Sequence, residues 1–262
     1  MSYIRSVCTR VKGGKTMNLD QHFFKINDQW NVIHLPERPN GFAILIIGDQ
    51  NHYVDEMTSL WIQNPERFQM IENLREKGYT IFYSNLFGRH WGSPKSVHLL
   101  KQLYHIVIRR EILNDKIHVI AEGMGALSAL RLMNEMEPIL RSVSMLSPCL
   151  DLKAFINTEK NNKLYYKRLI KELAFSYRME EQNVESEIIN NFDLCNFTSK
   201  TPVKIWHSTN RVLYSVSDHS RSFEKIREQE GVPIELSIHL FEKRFHITSN
   251  IISFLKRYEQ VL

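Results

Sequence analysis

Six short strand-like runs alternate with amphipathic helical stretches, and this rhythm constrains the fold more than any other feature of the chain. Phe42–Ile47 is continuously apolar and ends in Gly48-Asp49. Tyr79–Tyr83, Lys116–Ile120 and Arg141–Leu146 follow, then Val203–Trp206 and Ile234–Ile238 after a gap. The first three read as strands buried in a parallel sheet, and the other three as further strands of the same alternation. Helical spacing lies between them. Pro65 opens one helix, with Phe68, Ile71 and Leu74 on one face and Gly78 as its stop. Leu100, Leu103, Val107 and Ile108 mark a second over about 97–113, and Leu127, Leu130 and Met133 a third. Helices are also expected from about Asp218 to Glu230 and from Thr248. The expected class is α/β, a mostly parallel sheet with helices on both faces. Ahead of it, His22–Ile26 and Trp30–Leu35 around Asn27-Asp28 read as a hairpin.

The alternation breaks between about 152 and 200, a polar helical stretch with Leu164, Leu169, Leu173 and Tyr177 as its sparse apolar stripe. This segment is too short and polar to hold a core of its own, so a helical cap inserted into one core is expected. The core then comprises 1–151 and 201–262, and the cap 152–200.

Three segments together resemble the α/β-hydrolase superfamily, in particular its capped lipase, esterase and acyltransferase-like members. They are Leu74 to Pro94, Ile117-His-Val-Ile-Ala-Glu-Gly-Met-Gly-Ala126, and Val203 to Arg211 followed by a helix, a strand and Phe245-His246. The resemblance spans about 20–150 and 200–262. It implies a nucleophile on a tight strand-to-helix turn, a histidine that takes its proton, and an acid that holds the histidine. Backbone N–H groups would stabilise the oxyanion. Matched position by position, the nucleophile falls on Gly123, which has no side chain, and the acid on Arg211, which has the wrong charge; only His246 matches, as a remnant of the triad. The resemblance places the oxyanion loop at Gly48-Asp49-Gln50 and the second donor at the Met124 N–H. The space above Gly123 is expected either to be a binding pocket or to be plugged by Met124, Trp91 or Phe245.

Other chemistry is sparse. Cys149, beside Ser147 and Asp151 after the fourth of the core strands, is the alternative nucleophile; Ser128 lies too far into the helix. The 11 histidines show no ligand spacing, so no metal site is expected, and Gly123-Met-Gly125 lacks the third glycine of a dinucleotide fingerprint, so no cofactor is expected. The net charge of +5 comes from 34 basic and 29 acidic residues mixed along 262, which excludes a concentrated nucleic-acid footprint. No apolar run reaches membrane-spanning length. The first residues carry no signal-peptide pattern, and three widely spaced cysteines (Cys8, Cys149, Cys195) suit a reducing compartment, so a cytoplasmic protein is expected. The expected function is non-catalytic binding of a small acyl or carboxylate ligand or of a protein partner, a homo-oligomer included. The alternatives are an ester or thioester hydrolase or acyltransferase working through Cys149, and an assembly subunit with a vestigial pocket.

Overall fold

A computed structural model of the chain describes residues 4–12 and 15–259, with the side chains of 20–242 and 246–259. Three strands open the chain: β1 (Ile4–Lys12), β2 (Lys15–Ile26) and β3 (Gln29–His34). Then come β4 (Ala43–Ile47), α1 (Leu60–Gln63), α2 (Pro65–Glu76), β5 (Thr80–Ser84), α3 (Pro94–Arg110), β6 (Ile117–Glu122), α4 (Gly125–Glu135) and β7 (Leu140–Leu146). After the helices α5 (Leu152–Glu159) and α6 (Lys163–Tyr177), the alternation resumes with β8 (Val203–Ser208), α7 (Ser222–Gln229), β9 (Ile234–His239) and α8 (Ile247–Lys256).

Among the described residues nine strands form one sheet in the order β1-β2-β3-β5-β4-β6-β7-β8-β9. From β5 to β9 the pairs are parallel, and β1, β2, β3 and β5 pair antiparallel. The expected hairpin forms as β2–β3. Asn27 and Asp28 both take positive φ (47° and 61°), the turn that matches strand twist. β1 was not expected: Arg5, Arg10 and Lys12 interrupt its apolar pattern, as suits an edge strand.

Side chains alternate across the sheet with period two. Ala43, Leu45, Ile47, Phe82, Val119 and Ala121 pack with Leu100, Leu103, Ala126, Leu130 and Phe223 on one face. Ile44, Ile46, Ile81, Tyr83 and Ile120 pack with Ile71, Leu74, Ile251 and Phe254 on the other. The 152–200 segment buries Leu152, Phe155, Ile156, Leu169 and Leu173 in a third cluster, shared with Trp91, Met124 and Tyr214 beyond the strand ends. Leu164 does not join the stripe and is 83% exposed. It lies five residues before Leu169, about 140° round the helix from it, whereas Leu173 falls within about 40°. Helix α7 is delayed to Ser222, because Val216–Arg221 winds as a π-type turn.

The chain leaves β4 toward β5 on one side and later returns through β6 on the other. The ends of β4 and β6 therefore flank the point where strand order reverses, where crevices form in such sheets.

Candidate functional site

At that point two loops meet. Gly123 follows β6 in the left-handed region (φ +51°), and α4 begins two residues later. Gly125 is required by contact: a Cβ there would lie 2.3 Å from the Ile47 carbonyl oxygen at the end of β4. Gly123 faces a different neighbour. A Cβ on it would lie 2.2 Å from both Cγ and Oδ1 of Asp49. The Asp49 carboxylate thus occupies the volume into which a side chain at position 123 would project.

The reason is legible in its hydrogen bonds. Asp49 Oδ1 accepts from the Met124 N–H at 2.8 Å and from the Tyr214 hydroxyl at 3.3 Å. Gln50 Nε2 donates to the same hydroxyl at 2.8 Å. The Met124 N–H is one of the donors that a helix leaves unpaired at its start, and an anion there also meets the positive end of the α4 dipole. The chain's own carboxylate satisfies both.

Above this contact the space is packed. Trp91, Met124, Cys149, Phe155 and Tyr214 are all buried. Trp91 stacks on Phe155 at 5.5 Å between ring centroids, and Phe155 meets Tyr214 edge-on at 5.1 Å. The Trp91 N–H donates to Met124 Sδ at 3.3 Å, and the Tyr177 hydroxyl to the Trp91 carbonyl at 3.0 Å. Of the residues expected to plug the space, Met124 and Trp91 do lie in it; the side chain of Phe245 lies outside those described. Two open hollows occur elsewhere, lined by Lys95 and Phe175 among others in one and by Asp151 and Cys195 among others in the second.

Further titratable groups surround the turn. Arg67 Nε donates to Glu122 at 3.0 Å, and a second guanidinium nitrogen bonds its other oxygen. Burial raises the Glu122 pKa; Arg67 opposes this and the nearby Asp49 adds to it. Burial also pushes the Cys149 thiol well up, reinforced by Asp49 and Asp151. His219 Nδ1 accepts from the Leu150 and Asp151 N–H groups at 3.2 and 3.1 Å, and burial lowers its pKa to about 4. On the near side, a Cβ on Gly48 would strike the His52 ring at 2.3 Å. His52 itself bonds the Ser84 carbonyl at 3.0 Å.

Gly48, Asp49, Gly123 and Met124 lie together, and Cys149 joins them through its N–H, which donates to the Gly123 carbonyl at 2.9 Å. Arg211 and His246 are placed otherwise. Arg211 is exposed, at φ +55°, with its guanidinium 5.3 Å from the centre of the Phe241 ring. His246 is exposed at the start of α8, where Ser249 Oγ donates to its carbonyl at 2.8 Å. Among the described residues no hydrogen bond or ion pair links His246 to Arg211 or to the Gly123 turn. Of the other candidates, Asp151 caps α5 through the Ala154 N–H at 2.9 Å. Ser128 is buried between Ser96 and His90. Ser147 Oγ accepts from the Ser208 N–H at 3.2 Å. Tyr214 and His219 were not singled out by sequence, because one lies in the loop after β8 and the other at the start of an expected helix, and only the packing of this stretch brings Tyr214 to Asp49 and His219 to the Leu150 and Asp151 N–H groups. Among the described residues no three His, Cys, Asp or Glu side chains form a metal-ligating group.

The chain resembles solved structures across nearly its whole length. It covers 95% of itself against an acylaminoacyl peptidase of Pyrococcus horikoshii (TM-score 0.69, 13% identity), of which it spans only 43%. Against Est1E of Butyrivibrio proteoclasticus it covers 91% of itself and 98% of that chain (0.62, 14%), and against an esterase of Pyrococcus furiosus 99% and 100% (0.63, 16%). No family model matches the chain, and no curated protein matches it in sequence. At these identities the likeness speaks to fold.

Proposed function

On the premise that the chain has the α/β-hydrolase fold, we propose that it is a non-hydrolytic protein whose nucleophile turn has become a structural joint, and that it acts through its surface by binding a partner. The observation that carries this reading is the Asp49 carboxylate. It fills the space above Gly123 and takes the hydrogen bond of the Met124 N–H. In a serine hydrolase of this fold that N–H would stabilise the oxyanion. Here an incoming oxyanion or ligand carboxylate must first displace an internal one, which weighs against a small acyl ligand at this place.

Three further observations agree. Gly123 offers no nucleophile. Arg211 and His246, the positions matched to acid and base, are exposed and unlinked to the turn. Cys149 is fully buried, and its raised pKa leaves little thiolate, the form that attacks. The 152–200 helices act in this reading as a closed cap, fixed by the Trp91–Phe155–Tyr214 ring contacts.

The test is labelling by a fluorophosphonate together with hydrolysis of short p-nitrophenyl esters. The expected result is no adduct and no rate above buffer. A stoichiometric adduct near residue 123, or turnover abolished by Cys149→Ala, would overturn the reading.

A further inference from the structure

The outward face of α6 has a composition that neither the fold nor the elbow at Gly123, between β6 and α4, explains. At helical spacing it presents Leu164, Lys167, Arg168, Lys171 and Phe175, which all fall within about 60° of Lys171 around the axis, and Arg178 follows at the C-terminal cap with a left-handed backbone (φ 58°). Every one is exposed, Leu164 at 83% and Phe175 at 71%. Four are cations, two are large apolar side chains and none is acidic. The acid nearest to this face within the helix, Glu172, is turned inward, bonded to Arg89, Arg168 and the Trp91 indole.

The stripe continues beyond the helix. Lys95 Nζ lies 4.6 Å from the centre of the Phe175 ring and 4.8 Å from that of Phe87. Together with Arg178, Met179 and Glu180 these residues line an open hollow of about 810 Å³ at the helix end. Burial and the Arg178 charge both lower the Lys95 pKa. Among the described residues no ion pair engages Lys95, Lys167, Lys171 or Arg178.

We propose that this face of α6, with Lys95 at its end, docks the protein on an anionic lipid membrane surface. From Leu164 to Phe175 the face runs about 17 Å along the helix. Its two apolar anchors stand eleven residues apart with cations between them. A compact protein partner is gripped by a central apolar cluster, as when a helix lies in a groove with anchors three or four residues apart. A lipid surface instead offers anions everywhere along the stripe and apolar depth wherever a side chain reaches it. The other face of α6 is committed to the body through Leu169 and Leu173, so docking needs no refolding. The proposal does not depend on the elbow being inactive.

The experiment is co-sedimentation of the full chain with vesicles of phosphatidylcholine alone and of phosphatidylcholine with phosphatidylserine. The expected result is binding to the anionic vesicles only, released in about 1 M salt, where screening shortens to about 3 Å. Each basic side chain near such a surface is worth roughly fivefold in partition, so Lys167→Ala with Lys171→Ala should weaken binding roughly 25-fold. Leu164→Ser with Phe175→Ser should weaken it on the same vesicles; all four residues are exposed, and circular dichroism checks that the variants fold. Absence of binding, equal binding to neutral vesicles, or binding indifferent to the lysines would overturn the proposal. So would capture of poly-glutamate through these residues without vesicle binding, which would assign the face to an acidic polypeptide.

Discussion

Gly123 and Asp49 form a coupled pair at the centre of the molecule. The glycine holds a left-handed angle and leaves room for a carboxylate; the carboxylate satisfies the first free N–H of α4. Gly123→Ser should therefore destabilise the fold by about 1–3 kcal/mol through backbone angle alone, and further through collision with Asp49. Asp49→Ala should cost about 1–3 kcal/mol by leaving a buried donor unpaired. The double variant should lose less than the sum of the two, because removing the carboxylate also removes the collision. Urea unfolding of the four proteins measures this coupling, and strict additivity would contradict the contact. Gly123→Ser is also expected to show no ester hydrolysis above buffer, since among the described residues no histidine bonds to the turn that would carry the new hydroxyl. Cysteine reactivity gives an independent check of the packing. In a Cys8→Ser background, a thiol reagent should modify exposed Cys195 in the native protein and buried Cys149 only on unfolding.

Between elements, close approach sets the geometry of the site. Helix α4 starts against the end of β4 because residue 125 has no Cβ, which would otherwise stand 2.3 Å from a backbone carbonyl. A backbone oxygen in the sheet cannot yield as a flexible side chain can. Gly125→Ala should thus cost about 1–3 kcal/mol or more, as overpacking does, and its thermal midpoint should fall accordingly. Gly92 makes the matching approach on the other side, where a Cβ would meet Leu127 Cβ at 2.7 Å. In the 152–200 segment, the register of α6 decides which side chains are anchors. Leu169 and Leu173 face the body, while the i−5 spacing throws Leu164 outward to join the basic face.

Over the whole molecule, burial holds an unusual number of histidines neutral. It lowers His34, His90 and His118 to about 3, and His52 and His219 to about 4. In the unfolded chain these rings titrate near 6.5. Between those values the unfolded state binds more protons, so stability rises with pH across the window. The stabilising contribution is complete above about 6.5 and is lost as pH falls toward 4 and then 3. The urea midpoint should accordingly drop steadily below neutrality, with net proton uptake on unfolding. His219→Gln should flatten the upper part of that fall, since one ring no longer takes up a proton; an unchanged slope would mean that His219 does not titrate on unfolding.

What the sequence determined by itself is local and periodic. The continuous apolar run Phe42–Ile47 and the short β-rich runs after it predict strands, and helical spacing predicts what covers them, so the parallel core was legible without coordinates. So was the Asn27-Asp28 turn, whose residue types tolerate positive φ. Tertiary structure alone decided the state of the site. Asp49, Met124, Cys149 and Tyr214 are separated by up to 165 residues, and no pattern along the chain reports that one carboxylate will sit beneath a tyrosine and against a glycine. That depends on interatomic distances of two to three ångströms, fixed only when β4, β6 and the loop after β8 are packed together. The positions of Arg211 and His246 depend on the same packing: residue type marks them as charged or titratable, but their loops carry them to the surface.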